Sequence, residues 1–71
     1  MKYKILEKLG LTETEAKIYM ILLRLGSTHV TPIIKKAELH RATVYDVLDR
    51  LIEKGLVSYV IKDSKRFYEA A

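Results

Sequence analysis

The hydrophobic period of the chain changes at Gly55, and this change limits the folds that the sequence can adopt. Before it, four aliphatic side chains recur at helical spacing between residues 41 and 54, namely Val44, Val47, Leu48 and Leu51. After it, residues 56–61 are mostly β-branched or aromatic, residues 62–65 have the composition of a turn, and residues 66–69 are extended again. The sequence therefore predicts a helix that is followed directly by a C-terminal β-hairpin.

Two helices are predicted in the first third of the chain. Residues 2–9 form a short helix that ends at Gly10, with apolar side chains at Ile5, Leu6 and Leu9. Thr12 is the expected N-cap of the second helix and forms a capping box with Glu15, and Gly26 ends this helix. Its apolar face is predicted to contain Ala16, Tyr19, Leu22, Leu23 and Leu25.

A short extended segment, residues 27–30, precedes a third and shorter helix. Thr31 is its expected N-cap and Pro32 its first residue, because proline lacks an N–H that the first turn does not use. Residues 32–37 turn one side inward, at Ile33, Ile34 and Ala37, and the other outward, at Lys35 and Lys36. Only three residues then connect this helix to the next one, namely Glu38, Leu39 and His40.

The side-chain inventory excludes most catalytic and metal chemistry. Cysteine is absent, so disulfides, thiolate catalysis and zinc ribbons are excluded. His29 and His40 lie on different predicted elements without an obvious third ligand, and no serine stands in a nucleophile-elbow or triad motif. We therefore expect no enzyme activity, no cofactor and no metal.

Length, hydropathy and charge indicate how many domains the chain forms, where it is located and which class of partner it binds. A chain of 71 residues is expected to form one small domain, residues 1–71, and no apolar stretch approaches the roughly 20 residues that span a bilayer. Glu7 and Lys8 interrupt any signal-peptide core, so a cytoplasmic location is expected. The formal net charge of +4 favours polyanionic partners.

Two helices joined by three residues, with a hairpin directly after the second, are the elements of a winged helix-turn-helix. The predicted fold class is therefore α+β, with three core helices, a short N-terminal helix and a C-terminal hairpin that forms the wing. The buried stripe of the helix at residues 41–53 leaves a candidate reading surface, made of Arg41, Ala42, Tyr45, Asp46 and Asp49.

Three segments carry a resemblance to a known family. They are GLTETEAKIY at residues 10–19, LHRATVYDVL at residues 39–48 and LIEKGLV at residues 51–57. Together they resemble the DNA-binding domain of TrmB-type archaeal transcriptional regulators. The resemblance implies a homodimer that binds double-stranded DNA and regulates transcription, often of sugar uptake or metabolism.

The chain also departs from that family. Glu38 stands where relatives usually carry glycine, and a positive φ there would cost about 1 kcal/mol. Ile34 stands where the family often has a small residue at the helix crossing. The family normally continues into an effector-binding domain, whereas this sequence stops at Ala71, so we expect no small-molecule effector site in the chain.

The candidate DNA contacts lie on three elements. Arg41 could bind guanine bidentately, Ala42 or Thr43 could contact a thymine methyl group, and the hydroxyls of Thr43 and Tyr45 could bind phosphates. The remaining candidates are basic or turn residues at the helix start, on the preceding helix and at the hairpin tip, namely His40, Lys35, Lys36, Lys62, Lys65 and Arg66.

Two questions stay open at this point. Asp46 and Asp49 either sharpen specificity, with Asp46 accepting from cytosine, or form ion pairs with Arg41 and Arg50. These acidic residues and the modest net charge also leave an alternative function, a winged-helix module that binds protein and not DNA. Dimer contacts are expected from the N-terminal helix and its surroundings, at Tyr3, Leu6 and Ile21.

Overall fold

The computed structural model describes residues 4–71, with side chains from Leu6 onward. Four helices precede one two-stranded antiparallel sheet, in the order α1 (Lys4–Glu7), α2 (Glu13–Leu25), α3 (Val30–Ala37), α4 (Arg41–Glu53), β1 (Val57–Lys62) and β2 (Lys65–Ala70). This order and the change from helix to hairpin after Gly55 confirm the predicted α+β arrangement.

The predicted capping box forms at the start of α2. The backbone N–H of Glu15 donates to Thr12 Oγ1, and the backbone N–H of Thr12 donates to Glu15 Oε1, both at 3.0 Å. Lys54 Nζ, just beyond the end of α4, donates to the same Glu15 oxygen at 2.7 Å and to the Gly10 carbonyl at 3.2 Å. The start of α2 is therefore fixed both to its own first turn and to the end of α4.

The core contains the predicted stripe of α4, in which Val44, Leu48 and Leu51 are fully buried. On α2 the prediction was wrong at Leu23, which is 52% exposed, whereas Ile18 is buried. The buried stripe of α2 passes through Ile18 and Leu22, and Leu23 lies about 100° further around the helix. Leu9 is exposed as well, because α1 ends before it.

The predicted start of α3 was also wrong. The helix begins at Val30 with His29 as its N-cap, which makes Pro32 the third helical residue and not the first. Proline fits each of these positions, since none of the first N–H groups has a partner within the helix. At the other end Glu38 adopts a left-handed conformation, with φ 57° and ψ 42°, and its N–H donates to the Ile34 carbonyl at 2.9 Å.

The hairpin turns at Asp63 and Ser64, both with positive φ, as two-residue turns of type I′ require. Lys62 and Lys65 pair directly across the strands next to this turn. One further bridge joins β2 to the segment before α3, where Thr28 and Tyr68 exchange two backbone hydrogen bonds of 2.9 and 2.7 Å. This bridge fixes the position of the hairpin relative to the start of α3.

Candidate nucleic-acid interface

The outer face of α4 presents the predicted reading surface. The stripe on its inner face is buried, Ile33 of α3 is buried in the same core, and Leu39 of the preceding turn packs against it. All members of the reading surface are exposed, and so are Thr43 and the N-cap residue His40. His40 occupies the N-cap position, but its side chain makes no capping hydrogen bond.

The acidic residues of this face differ in their pairing. Asp46 Oδ2 lies 3.1 Å from the Arg50 guanidinium, one turn further along α4. This distance confirms the ion-pair interpretation for Asp46. Neither Asp49 nor Arg41 is within ion-pair distance of an oppositely charged group among the described side chains. Arg41 therefore stands at the start of α4 without an internal partner in that set.

The hairpin carries its predicted basic residues at the tip. Lys62, Lys65 and Arg66 are all exposed. The Arg66 guanidinium carbon lies 4.5 Å from the centre of the Tyr59 ring, which is a cation–π distance. Tyr59 thus orients the arginine while leaving it accessible from solvent.

A cleft of about 460 Å³ separates α4 from the hairpin and brings predicted residues of both together. Tyr45 of α4 lines the cleft, and so do Lys65 and Arg66 of the hairpin. The remaining walls come from the start of α3, the hairpin turn and the inner face of β2, at His29, Val30, Thr31, Ser64 and Tyr68. A phosphate-bearing strand could contact both elements across this cleft.

Two predicted contacts on α3 lie elsewhere. Lys35 and Lys36 are exposed, but neither lines the cleft. Lys36 borders a separate depression of about 340 Å³ whose other walls belong to α2, at Lys17, Ile21, Arg24 and Leu25. The predicted dimer residues Leu6 and Ile21 are half-buried and pack against the core, and Tyr3 lies outside the described residues.

The sequence did not predict His29, Thr31, Ser64 and Tyr68 as part of this site. The alternation of β2 puts Arg66 and Tyr68 on one face, so the period of two could have identified Tyr68 as a neighbour. For His29 no such signal exists, because its place depends on the Thr28–Tyr68 bridge. Its ring packs edge-on against Phe67, with centroids 5.9 Å apart.

Between residues 4 and 71, no helix is both long and apolar enough to cross a membrane. The same part of the chain holds no group of three or more histidine, aspartate or glutamate side chains placed to bind a metal ion.

Comparison with known sequences points to one family. The family described as "Sugar-specific transcriptional regulator TrmB" matches residues 6–71. The chain is 36% identical over 63 residues to the "HTH-type sugar sensing transcriptional regulator TrmBL1" of Pyrococcus furiosus. That alignment covers 89% of this chain but only 18% of the relative.

Solved structures share the fold. The YusO protein from Bacillus subtilis superposes with a TM-score of 0.84 at 22% identity, covering 97% of this chain and 51% of that one. A transcriptional regulator of the MarR family from Silicibacter pomeroyi gives 0.83 at 22% identity, covering 96% and 47% respectively. The chain thus spans about half the length of these structures, and its fold is an α+β winged helix-turn-helix.

Proposed function

The chain belongs to the TrmB family of transcriptional regulators, and we propose that it binds double-stranded DNA sequence-specifically, with α4 in the major groove. The hairpin then contacts the flanking backbone or the minor groove. One observation carries this proposal: the exposed face of α4 and the basic tip of the hairpin border the same cleft. A duplex docked on α4 would therefore meet the hairpin cations as well.

Direct reading of bases rests mainly on Arg41. Arg41 is the first residue of α4, is exposed and has no acidic partner among the described side chains, so its guanidinium is available for guanine O6 and N7. Ala42 and Thr43 follow on the exposed side and suit a thymine methyl group. Asp46 is held by Arg50, so a contact with cytosine would first break that ion pair. The chain has no asparagine or glutamine, so bidentate amide reading of adenine is excluded.

Phosphate contacts supply most of the affinity in this proposal. Tyr45, Thr43 and His40 offer polar groups near the start and middle of α4, and the cations come from α3 and the hairpin, at Lys35, Lys36, Lys62, Lys65 and Arg66. Each phosphate neutralised by a cation contributes a slope of about 0.9 to the dependence of log affinity on log salt. Binding should therefore weaken steeply as salt increases.

We further propose that the regulator acts as a homodimer whose two α4 helices read half-sites about one helical turn apart. The dimer contacts would lie near the N-terminal segment, at Tyr3, Leu6 and Ile21. Leu9 and Leu23, exposed at 70% and 52%, are apolar side chains in this part of the chain that such a contact would cover. Family membership favours regulation over catalysis, and we propose no enzyme activity.

Fluorescence anisotropy with labelled duplex DNA tests the proposal. Arg41→Ala should weaken binding to a selected operator by about 1–3 kcal/mol and relax the preference at one base position. Arg24→Ala is the matched control, because Arg24 is an exposed arginine in the depression between α2 and α3 and away from the cleft. If the affinity for duplex DNA changes neither with salt concentration nor with Arg41→Ala, the alternative function is favoured, a winged-helix module that binds protein.

A further inference from the structure

The residues that line the cleft between α3, α4 and the hairpin determine which charge a bound ligand can carry. Its lining includes the first residues of α3, Tyr68 of β2, and Lys65 and Arg66 of the hairpin. No carboxylate belongs to its walls, although the Asp49 carboxylate of α4 lies near enough to interact with Arg66. Its lining therefore favours a ligand that carries negative charge.

The start of α3 contributes backbone donors. His29 is the N-cap, but its side chain makes no capping hydrogen bond, so the first N–H groups lack the side-chain acceptor that usually satisfies them. Val30 and Thr31 carry these N–H groups and both line the cleft. The third helical residue is Pro32, which has no N–H to offer. Helix N-termini with free N–H groups attract anions, since the helix dipole is positive there.

Tyr68 provides an independent observation. It is 1% exposed, and its hydroxyl lies beside the Arg66 guanidinium but makes no hydrogen bond of ordinary geometry in the described part of the chain. Buried hydroxyls without a partner are uncommon, because losing water without a replacement bond is unfavourable. Tyr68 lines the same cleft as the free N–H groups. A bound acceptor would satisfy both sets of donors.

Two cations complete the set. Lys65 and Arg66 line the cleft from the hairpin, and the Tyr59 ring under Arg66 restrains its guanidinium at 4.5 Å. Arginine and free backbone N–H groups together match the several oxygens of a tetrahedral anion, whereas a single carboxylate has only two. Thr31 and Ser64 also line the cleft, and both carry hydroxyl groups.

We propose that this cleft binds a phosphate-type oxyanion, coordinated by the α3 N-terminus, the Tyr68 hydroxyl and Arg66. The anion has two sources, a backbone phosphate of the DNA duplex or a free phosphate group. The first source rests on the function proposed above, and the second does not.

The first test is an amide NMR titration of the chain with inorganic phosphate at constant ionic strength. The Val30 and Thr31 amide signals should shift saturably, and Tyr68→Phe should weaken the apparent affinity by roughly tenfold, as expected for losing a hydrogen bond to a charged group. Tyr19→Phe is the matched control, because it removes a tyrosine hydroxyl from α2, which does not line the cleft. Tyr68→Phe should not lower Tm, since it deletes an unpaired hydroxyl and keeps the ring.

Duplex binding by the same variants separates the two sources. If a backbone phosphate fills the cleft, Tyr68→Phe weakens duplex binding and inorganic phosphate competes with the duplex. If only free phosphate binds, Tyr68→Phe weakens phosphate binding but leaves duplex affinity unchanged. Two results would overturn the inference. In the first, phosphate does not shift the Val30 and Thr31 amide signals and Tyr68→Phe leaves duplex affinity unchanged. In the second, the Tyr68→Phe variant binds phosphate as the wild type does.

These results also distinguish this inference from the proposed function. In one outcome, Arg41→Ala weakens duplex binding, phosphate moves neither the Val30 nor the Thr31 amide signal, and Tyr68→Phe leaves duplex affinity unchanged. The proposed function then stands and the oxyanion site is overturned. Conversely, if phosphate shifts the Val30 and Thr31 amide signals saturably but the chain binds no duplex, the oxyanion site stands and the proposed function is overturned.

Discussion

Glu15 connects local and tertiary structure through one carboxylate. It is 2% exposed, closes the capping box of α2 and accepts a hydrogen bond from Lys54 at 2.7 Å. The Lys54 hydrogen bond lowers the pKa of Glu15 from its usual value, and the Thr12 backbone N–H acts in the same direction, while burial opposes both. The ionised form is therefore favoured in the folded chain.

The lowered pKa of Glu15 predicts a pH dependence of stability. Because the folded pKa lies below the ordinary value of 4.5, the ion pair contributes fully above that pH, and its contribution is lost as pH falls through the folded pKa. Glu15→Gln should reduce stability at pH 7 by about 1–3 kcal/mol and flatten the decline on acidification. Urea denaturation between pH 7 and pH 3 measures both effects, with the exposed Glu13→Gln as control. Parallel pH profiles for wild type and Glu15→Gln would contradict this account.

At the scale of elements, the turn between α3 and α4 contains a backbone conformation that glutamate adopts at a cost. Glu38 has φ 57° and ψ 42°, where glycine has no steric penalty. Glu38→Gly should therefore raise the free energy of unfolding, by about 0.5–1 kcal/mol after the extra entropy of the unfolded chain is subtracted. Lys35→Gly, at an exposed helical position, should instead lower it by about 1 kcal/mol. Equal urea midpoints for Glu38→Gly and Lys35→Gly would contradict the assignment of strain.

Most elements were predictable from local chemistry. The capping box at Thr12, the end of α4 before Gly55 and the hairpin turn at Asp63 all depend on residues that are close in sequence. The start of α3 was not, because proline is compatible with every position of a first turn. The exposure of Leu23 depends on which neighbours pack on α2, which periodicity alone does not determine.

At the scale of the whole molecule, the reading face and the cleft differ in how far the sequence predicts them. The exposed face of α4 follows from one buried stripe, so Arg41 and Tyr45 could be assigned in advance. The cleft forms only when the Thr28–Tyr68 bridge brings the start of α3 beside the hairpin. Contacts of this kind join residues distant in the chain, and no local pattern encodes them. The expected absence of an effector site stays a prediction, as does the dimer.

The most direct test of the central claim is an amide NMR map of the chain bound to its selected duplex. The account predicts large shifts in the first half of α4 and at the hairpin tip, around Arg41 and Arg66. It predicts small shifts at Lys17 and Arg24, on the α2 side of the depression that Lys36 borders, although these residues are also basic. Shifts concentrated around Lys17 and Arg24, with Arg41 and Arg66 unaffected, would contradict it.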